Sequence, residues 1–187
     1  MPNLKPTPSL GSYSQTWGGL TLTENEHTEL VSLTSIQNEE TKFAKAFETN
    51  FNAKPPQPNT FENFENGMAF WTSSGQCWVM AQGKNPNLDK DLDSKMEGSA
   101  YAVLLTDGWT SLTLIGAQSY DVLERFIPLD IRKAPINFAS RTSAHHIAVI
   151  ILKFSDTEFQ LLTPRSSAQS FLEGLTHTID NVLLKFN

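Results

Sequence analysis

Apolar positions along this chain fall into short blocks whose spacing shifts from two residues to four and back. Residues 20–23 and 29–36 read as short strands, and residues 1–19 before them read as an extended arm ending in Trp17-Gly18-Gly19. Phe43, Phe47 and Phe51 then recur every four residues and predict a helix with one aromatic face. Asn38 is placed to cap that helix, with Glu39 and Glu40 in a first turn where the helix dipole favours negative charge. Residues 52–68 carry Pro55, Pro56 and Pro58 and break regular structure, because proline fixes φ and lacks a donor. Beyond them, residues 69–72 and 77–81 predict a hairpin turned through Ser73-Ser74-Gly75, and the polar residues 82–97 a connector holding a helical turn.

The second half opens on Tyr101-Ala102-Val103-Leu104-Leu105-Thr106, followed by Asp107-Gly108 and the strand-like residues 109–115. An Asp-Gly pair between two such runs predicts a two-residue hairpin, since both turn positions need positive φ. Gly116 leads into a helix carrying Tyr120, Leu123, Phe126 and Ile127, which Pro128 ends. Residues 145–154 are almost continuously apolar and β-branched, the pattern of a central strand covered on both faces. Ser155-Asp156-Thr157 turns this strand back into residues 159–163, and Pro164-Arg165-Ser166 opens a last helix. On that helix Ala168, Phe171, Leu172, Leu175, Ile179, Val182, Leu183 and Phe186 share one face. At about 1.5–3 kcal/mol per large apolar side chain, such a face packs on a sheet or a partner.

Strand, helix and hairpin therefore occur twice, in halves 20–97 and 98–187 of a single domain. Residues 31–36, the phenylalanine helix and the hairpin of 69–81 correspond to residues 112–115, the helix of 117–127 and the hairpin of 145–163. The pattern predicts an α+β fold of two pseudo-repeated strand-helix-hairpin halves, antiparallel sheets with helices packed on them.

Composition narrows the partners. The 187 residues carry 20 acidic against 14 basic side chains, a formal charge of −6, and the basic ones form no stripe that could track phosphates, so nucleic acid is excluded as a partner. One cysteine, Cys77, lies in an apolar run and is expected to be buried; a single thiol allows no internal disulfide and no Cys/His zinc spacing. No run reaches the ~18 apolar residues of a membrane span, and residues 1–20 lack the apolar core of a secretory signal, so a cytoplasmic protein is expected.

A search for chemistry finds no phosphate-binding loop, no GxGxxG after a strand, no HExxH and no GxSxG elbow. Catalytic, cofactor-binding and metal-binding residues are therefore predicted to be none. His145-His146 is the strongest chemical pair, but in a strand adjacent side chains point to opposite faces and cannot grip one ion, which leaves a structural or interface role. Asp107 is accounted for by turn chemistry. Asp130 and Arg132 read as a solvated or interface loop. Arg141-Thr142 and Arg165-Ser166 remain: they flank strand and helix ends without an evident structural duty, and arginine at such places pairs with carboxylate or phosphate.

Several ordered segments resemble the gamma subunit of heterotetrameric sarcosine oxidase. They are Leu105-Thr106-Asp107-Gly108-Trp109 with Leu112, Leu114 and Gly116; Leu123 and Phe126-Ile127-Pro128-Leu129-Asp130-Ile131; Arg141-Thr142 with Ala144-His145; and Pro164-Arg165-Ser166-Ser167-Ala168 with Ser170-Phe171. Gly18-Gly19-Leu20 and the segment between Glu39 and Ala81 add a weaker likeness. The resemblance implies a reduced version of the folate-binding fold of glycine-cleavage aminomethyltransferase, in a complex that oxidatively demethylates sarcosine to glycine and passes the one-carbon unit to tetrahydrofolate. It further implies partner alpha, beta and delta subunits, with flavin, NAD and tetrahydrofolate held chiefly by the larger alpha and beta subunits, and that this chain is a non-catalytic assembly subunit. Arg141, Thr142, Arg165 and Ser166 are then expected at the partner interface. A free-standing folate-binding or aminomethyl-transfer protein, and an adaptor domain of another complex, are the alternative readings.

Overall fold

The computed structural model describes residues 7–26, 28–83 and 85–184. In chain order its elements are β1 (Ser14–Trp17), β2 (Leu20–Glu24), β3 (Thr28–Ser35), α1 (Glu40–Phe51), β4 (Phe61–Phe64), β5 (Gly67–Ser73), β6 (Gln76–Gln82), α2 (Leu88–Lys95) and β7 (Ala100–Leu104). Then follow β8 (Trp109–Ile115), α3 (Ser119–Phe126), β9 (Phe138–Ala144), β10 (Ile147–Lys153), β11 (Glu158–Pro164) and α4 (Ala168–Leu183). The fold is α+β, with antiparallel pairing in both sheets. Two compact units divide the chain: residues 27–107 with 137–141, and residues 1–26, 108–136 and 142–187.

In the first of these units the sheet runs β4-β5-β6-β3-β7. Alternate residues Val31 and Leu33, Cys77 and Val79, Ala69 and Ala100 turn to one face and meet Phe43, Phe47, Leu92 and Met96 from α1 and the α2 region. The phenylalanine stripe is core, as its spacing predicts: Phe47 is fully buried, 5.8 Å from Phe43 and 4.5 Å from Phe51, and Phe51 lies 4.6 Å from Phe64. Asn38 does not cap α1. It sits at φ +68°, Glu39 takes the cap position without a side-chain bond, and Glu40 alone of the two glutamates lies in the first turn. Residues 52–68 are also more regular than their prolines suggest, since Phe61–Phe64 pairs with Gly67–Phe70 once the proline run has passed.

The six-stranded sheet runs β1-β2-β8-β11-β10-β9. Leu112 and Leu114 of β8, Phe159 and Leu161 of β11, and Leu20 and Leu22 of β2 are buried, as are Phe171, Leu172, Leu175, Ile179 and Val182 of α4. Helices α3 and α4 meet through Phe126 and Phe171, edge to face at 5.1 Å. Phe186 lies outside the described residues. α3 stops where Ile127 turns extended, the conformation imposed on a residue before proline. Gly116, at the end of β8, has φ +147° and no room for a Cβ, which would fall 2.3 Å from Gly19 O.

Two further expectations are corrected. Asp107-Gly108 is not a hairpin: Thr106–Gly108 forms a single 3-10 turn, neither Asp107 nor Gly108 has positive φ, and β7 pairs with β3 while β8 pairs with β2 and β11. Thr106 explains the departure, because its hydroxyl accepts from Leu30 N at 2.9 Å and donates to Glu29 at 2.8 Å, binding the end of β7 to β3. Likewise His145-His146 is not strand. The two residues, at φ +48° and +68°, form the turn between β9 and β10, and the central strand begins at Ile147.

The repeat is more complete than the sequence pattern. β3-α1-β4-β5-β6-α2-β7 matches β8-α3-β9-β10-β11-α4, with β2 standing beside β8 where β7 stands beside β3. Each hairpin has a third strand, β4 or β9, that the pattern does not show. β9 reads as a loop because its sequence, FASRTSA, holds one large apolar residue.

Candidate partner interface

The four residues singled out from sequence fall at two places. Arg165 and Ser166 are exposed, in a 3-10 turn between β11 and α4. Arg165 has a structural duty after all: its Nη2 donates to Thr7 O at 2.8 Å. A little further along, the buried Glu24 carboxylate accepts from Ser9 Oγ at 2.9 Å and from the backbone N–H groups of Leu10, Ser12 and Tyr13 at 3.0, 2.9 and 3.3 Å. Residues 7–13 are thereby tied to the sheet, because a buried carboxylate needs such donors.

Arg141 and Thr142 are not in a loop. They lie on β9, the outermost strand of its sheet, Arg141 exposed and Thr142 half-buried. Arg141 makes no ion pair among the described residues.

The two histidines at the β9–β10 turn are exposed, with the His145 ring 5.3 Å from Phe126. Both occupy the left-handed region, which non-glycine residues enter at a cost of about 1–2 kcal/mol each. No cluster of three His, Cys, Asp or Glu side chains suited to a metal occurs among the described residues. Cys77 is buried, and burial pushes its thiol up to about 12, so it stays protonated and unreactive near neutral pH.

Sequence reasoning misses a buried lysine. Lys153, only 2% exposed, ends β10 and donates to Ala134 O at 2.8 Å and Ile131 O at 3.4 Å, with Asp156 Oδ1 3.3 Å away. Its ammonium also lies 5.0 Å from the Tyr120 ring centre, and the Arg132 guanidinium lies 4.9 Å from the same ring. Arg132 pairs with Glu124 at 2.6 Å and Asp121 at 2.7 Å, while Asp130 pairs with Lys133, so Asp130 and Arg132 act separately. Burial, and after it the hydrogen bond to Asp156, raises the Tyr120 phenol above its ordinary pKa. The Asp156 carboxyl is lowered by the Tyr120 hydroxyl and then by Lys153. These bonds fix the chain between α3 and β9. The only signal in the sequence is a lone lysine ending an apolar run.

The strand read at residues 101–106 is β7, but its place at an open sheet edge has no signal in the sequence. Tyr101 is 63% exposed, Val103 55% and Leu104 37%, three of the six large apolar residues that stand in water among those described. Grouped apolar side chains on an exposed sheet edge mark interaction surfaces.

No protein-family model matches the chain, and no curated protein does. Among solved structures, the chain is similar to a chain of the heterotetrameric sarcosine oxidase from Corynebacterium sp. U-96, with a TM-score of 0.75 and 19% identity, over 87% of this chain and 85% of that one. It is also similar to the glycine cleavage system aminomethyltransferase T from Bartonella henselae, with a TM-score of 0.67 and 13% identity, over 84% of this chain and 45% of that one. At these identities the likeness establishes a shared fold. No helix among the described residues is long and apolar enough to cross a membrane.

Proposed function

We propose that this chain is the gamma-type, non-catalytic assembly subunit of a heterotetrameric sarcosine oxidase, working in the cytoplasm with alpha, beta and delta subunits. The observation that carries the reading is the fold match along 85% of a chain from such an oxidase, joined to the ordered segments that resemble its gamma subunit. In this reading flavin, NAD and tetrahydrofolate are held by the partners, which oxidise sarcosine to glycine, and this chain shapes the assembly. The aminomethyltransferase likeness spans under half of that enzyme and supports the folate-domain ancestry of the fold. The purified chain should show no flavin absorbance and make no peroxide from sarcosine. A yellow protein, or peroxide from this chain alone, would contradict the reading.

Arg141, Thr142, Arg165 and Ser166 are assigned in this proposal to the contact with the larger subunits, where arginine's planar fork pairs with carboxylate. Arg141→Ala with Arg165→Ala should weaken assembly by about 2–4 kcal/mol if each loses a buried charged partner. Loss of the exposed Arg165–Thr7 bond should lower the stability of the isolated chain by no more than about 0.5–1.5 kcal/mol. Assembly of the double variant at wild-type affinity would remove these residues from the interface.

A further inference from the structure

The internal repeat leaves one strand position filled in one sheet and empty in the other. In the six-stranded sheet β2 flanks β8, and β1 pairs along the outer side of β2, from Ser14 opposite Thr23 to Trp17 opposite Leu20. In the five-stranded sheet β7 takes the place of β2, and among the described residues no strand lies beyond it. The backbone of β7 is oriented for one. Ile36 N donates to Ser99 O at 2.8 Å and Leu105 N donates to Leu30 O at 2.7 Å, so the odd-numbered residues bond toward β3. In an antiparallel ladder the N–H and C=O groups of Ala100, Ala102 and Leu104 then point to the open side. Tyr101 and Val103 project from one face of the same strand, and both are more than half exposed.

We propose that β7 takes up an antiparallel strand from a partner protein, completing the edge of this sheet as β1 completes the other. The inference rests on the assembly-subunit reading for the identity of that partner. Main-chain bonds would supply affinity, and alternate apolar side chains over Tyr101 and Val103 would supply register. Charge decides the occupant. The Leu104 end carries Glu29 and the exposed Asp107, whereas the Ala100 end carries Glu97 with the Lys42 ammonium 2.7 Å from Glu97 O. A second copy pairing about Ala102 would offer the acidic end only that near-neutral pair. A partner segment whose first residues are lysine or arginine meets Glu29 and Asp107 with opposite charge, since antiparallel pairing places its N-terminal end there.

Two substitutions test the edge. Ala102→Pro removes an outward N–H and leaves the ladder to β3 intact, and Val103→Lys places a charge on the exposed face. Each should weaken assembly of the full chain with sarcosine-oxidase-type subunits by about tenfold or more, with the melting temperature of the isolated chain unchanged. If Ala102→Pro does not fold, Val103→Lys is read alone. Assembly of the folded variants at wild-type affinity overturns the proposal. Should the wild type itself fail to assemble, the subunit reading falls and the edge is judged with a labelled peptide of alternating valine and threonine bearing two lysines at its N-terminus. Binding that is lost on Ala102→Pro or Val103→Lys supports the edge, and absence of binding to the wild type overturns it. A wild-type dimer that either substitution dissolves would make a second copy the occupant and overturn the partner assignment.

Discussion

Phe47→Ala should lower the stability of the chain by about 3–5 kcal/mol, read as a fall in the urea midpoint at unchanged slope. The side chain has no exposed surface and sits between Phe43 and Phe51 at centroid distances of 5.8 and 4.5 Å, in the cluster that also holds Val31, Leu33, Val79 and Met96. Its removal forfeits both the transfer of a large apolar group from water and the packing of every neighbour that cannot collapse into the space. The ring-on-ring arrangement with each flanking phenylalanine contributes about 0.5–1.5 kcal/mol of that total beyond simple burial. Phe47→Leu should recover most of the loss because it refills most of the volume. A variant with alanine at 47 that melts like the wild type would mean that α1 does not lie on this sheet.

Lys153→Ala should also be costly, about 2–5 kcal/mol from the cavity and the two carbonyls left without their donor, since the ion-pair partner Asp156 is exposed and stays solvated. The side chain is nearly all buried, and its ammonium satisfies the carbonyls of Ala134 and Ile131 while meeting Asp156. Alanine leaves a cavity and removes a charged donor from two carbonyl groups. Lys153→Met separates the two losses: it keeps most of the volume, so the remaining cost of about 1–3 kcal/mol is that of unmatched carbonyls. Hydrogen exchange should show the deficit first at residues 131–134, which the ammonium holds. Wild-type stability in Lys153→Ala would show that this buried charge carries no part of the fold.

Side-chain periodicity makes α1, α3, α4 and the hairpins of 69–81 and 145–163 legible, because a buried face repeats every three to four residues on a helix and every two on a strand. Three departures have local physical causes. Asp107-Gly108 carries the composition of a hairpin turn, yet the Thr106 hydroxyl bonds to Leu30 and Glu29 and keeps β7 on β3. His145-His146 lies directly before an apolar strand, and nothing in two imidazoles announces the positive φ that a tight turn imposes on them. Strand β9 is held by its neighbour rather than by its own composition, so its sequence shows no strand period. The interface is less legible than the fold. In the sequence Arg165 stands out for its charge, but part of its role is to hold residue 7. The exposed edge at Tyr101 and Val103 has the sequence of half a hairpin, which makes it look already paired.

If, as proposed, this chain assembles with flavoprotein partners, co-expression with sarcosine oxidase alpha, beta and delta subunits gives a single outcome. Size-exclusion chromatography of the purified mixture should give one peak that contains this chain, carries flavin absorbance and oxidises sarcosine. Elution of the chain alone, with the partners forming an active flavoprotein without it, would rule out the assembly-subunit assignment.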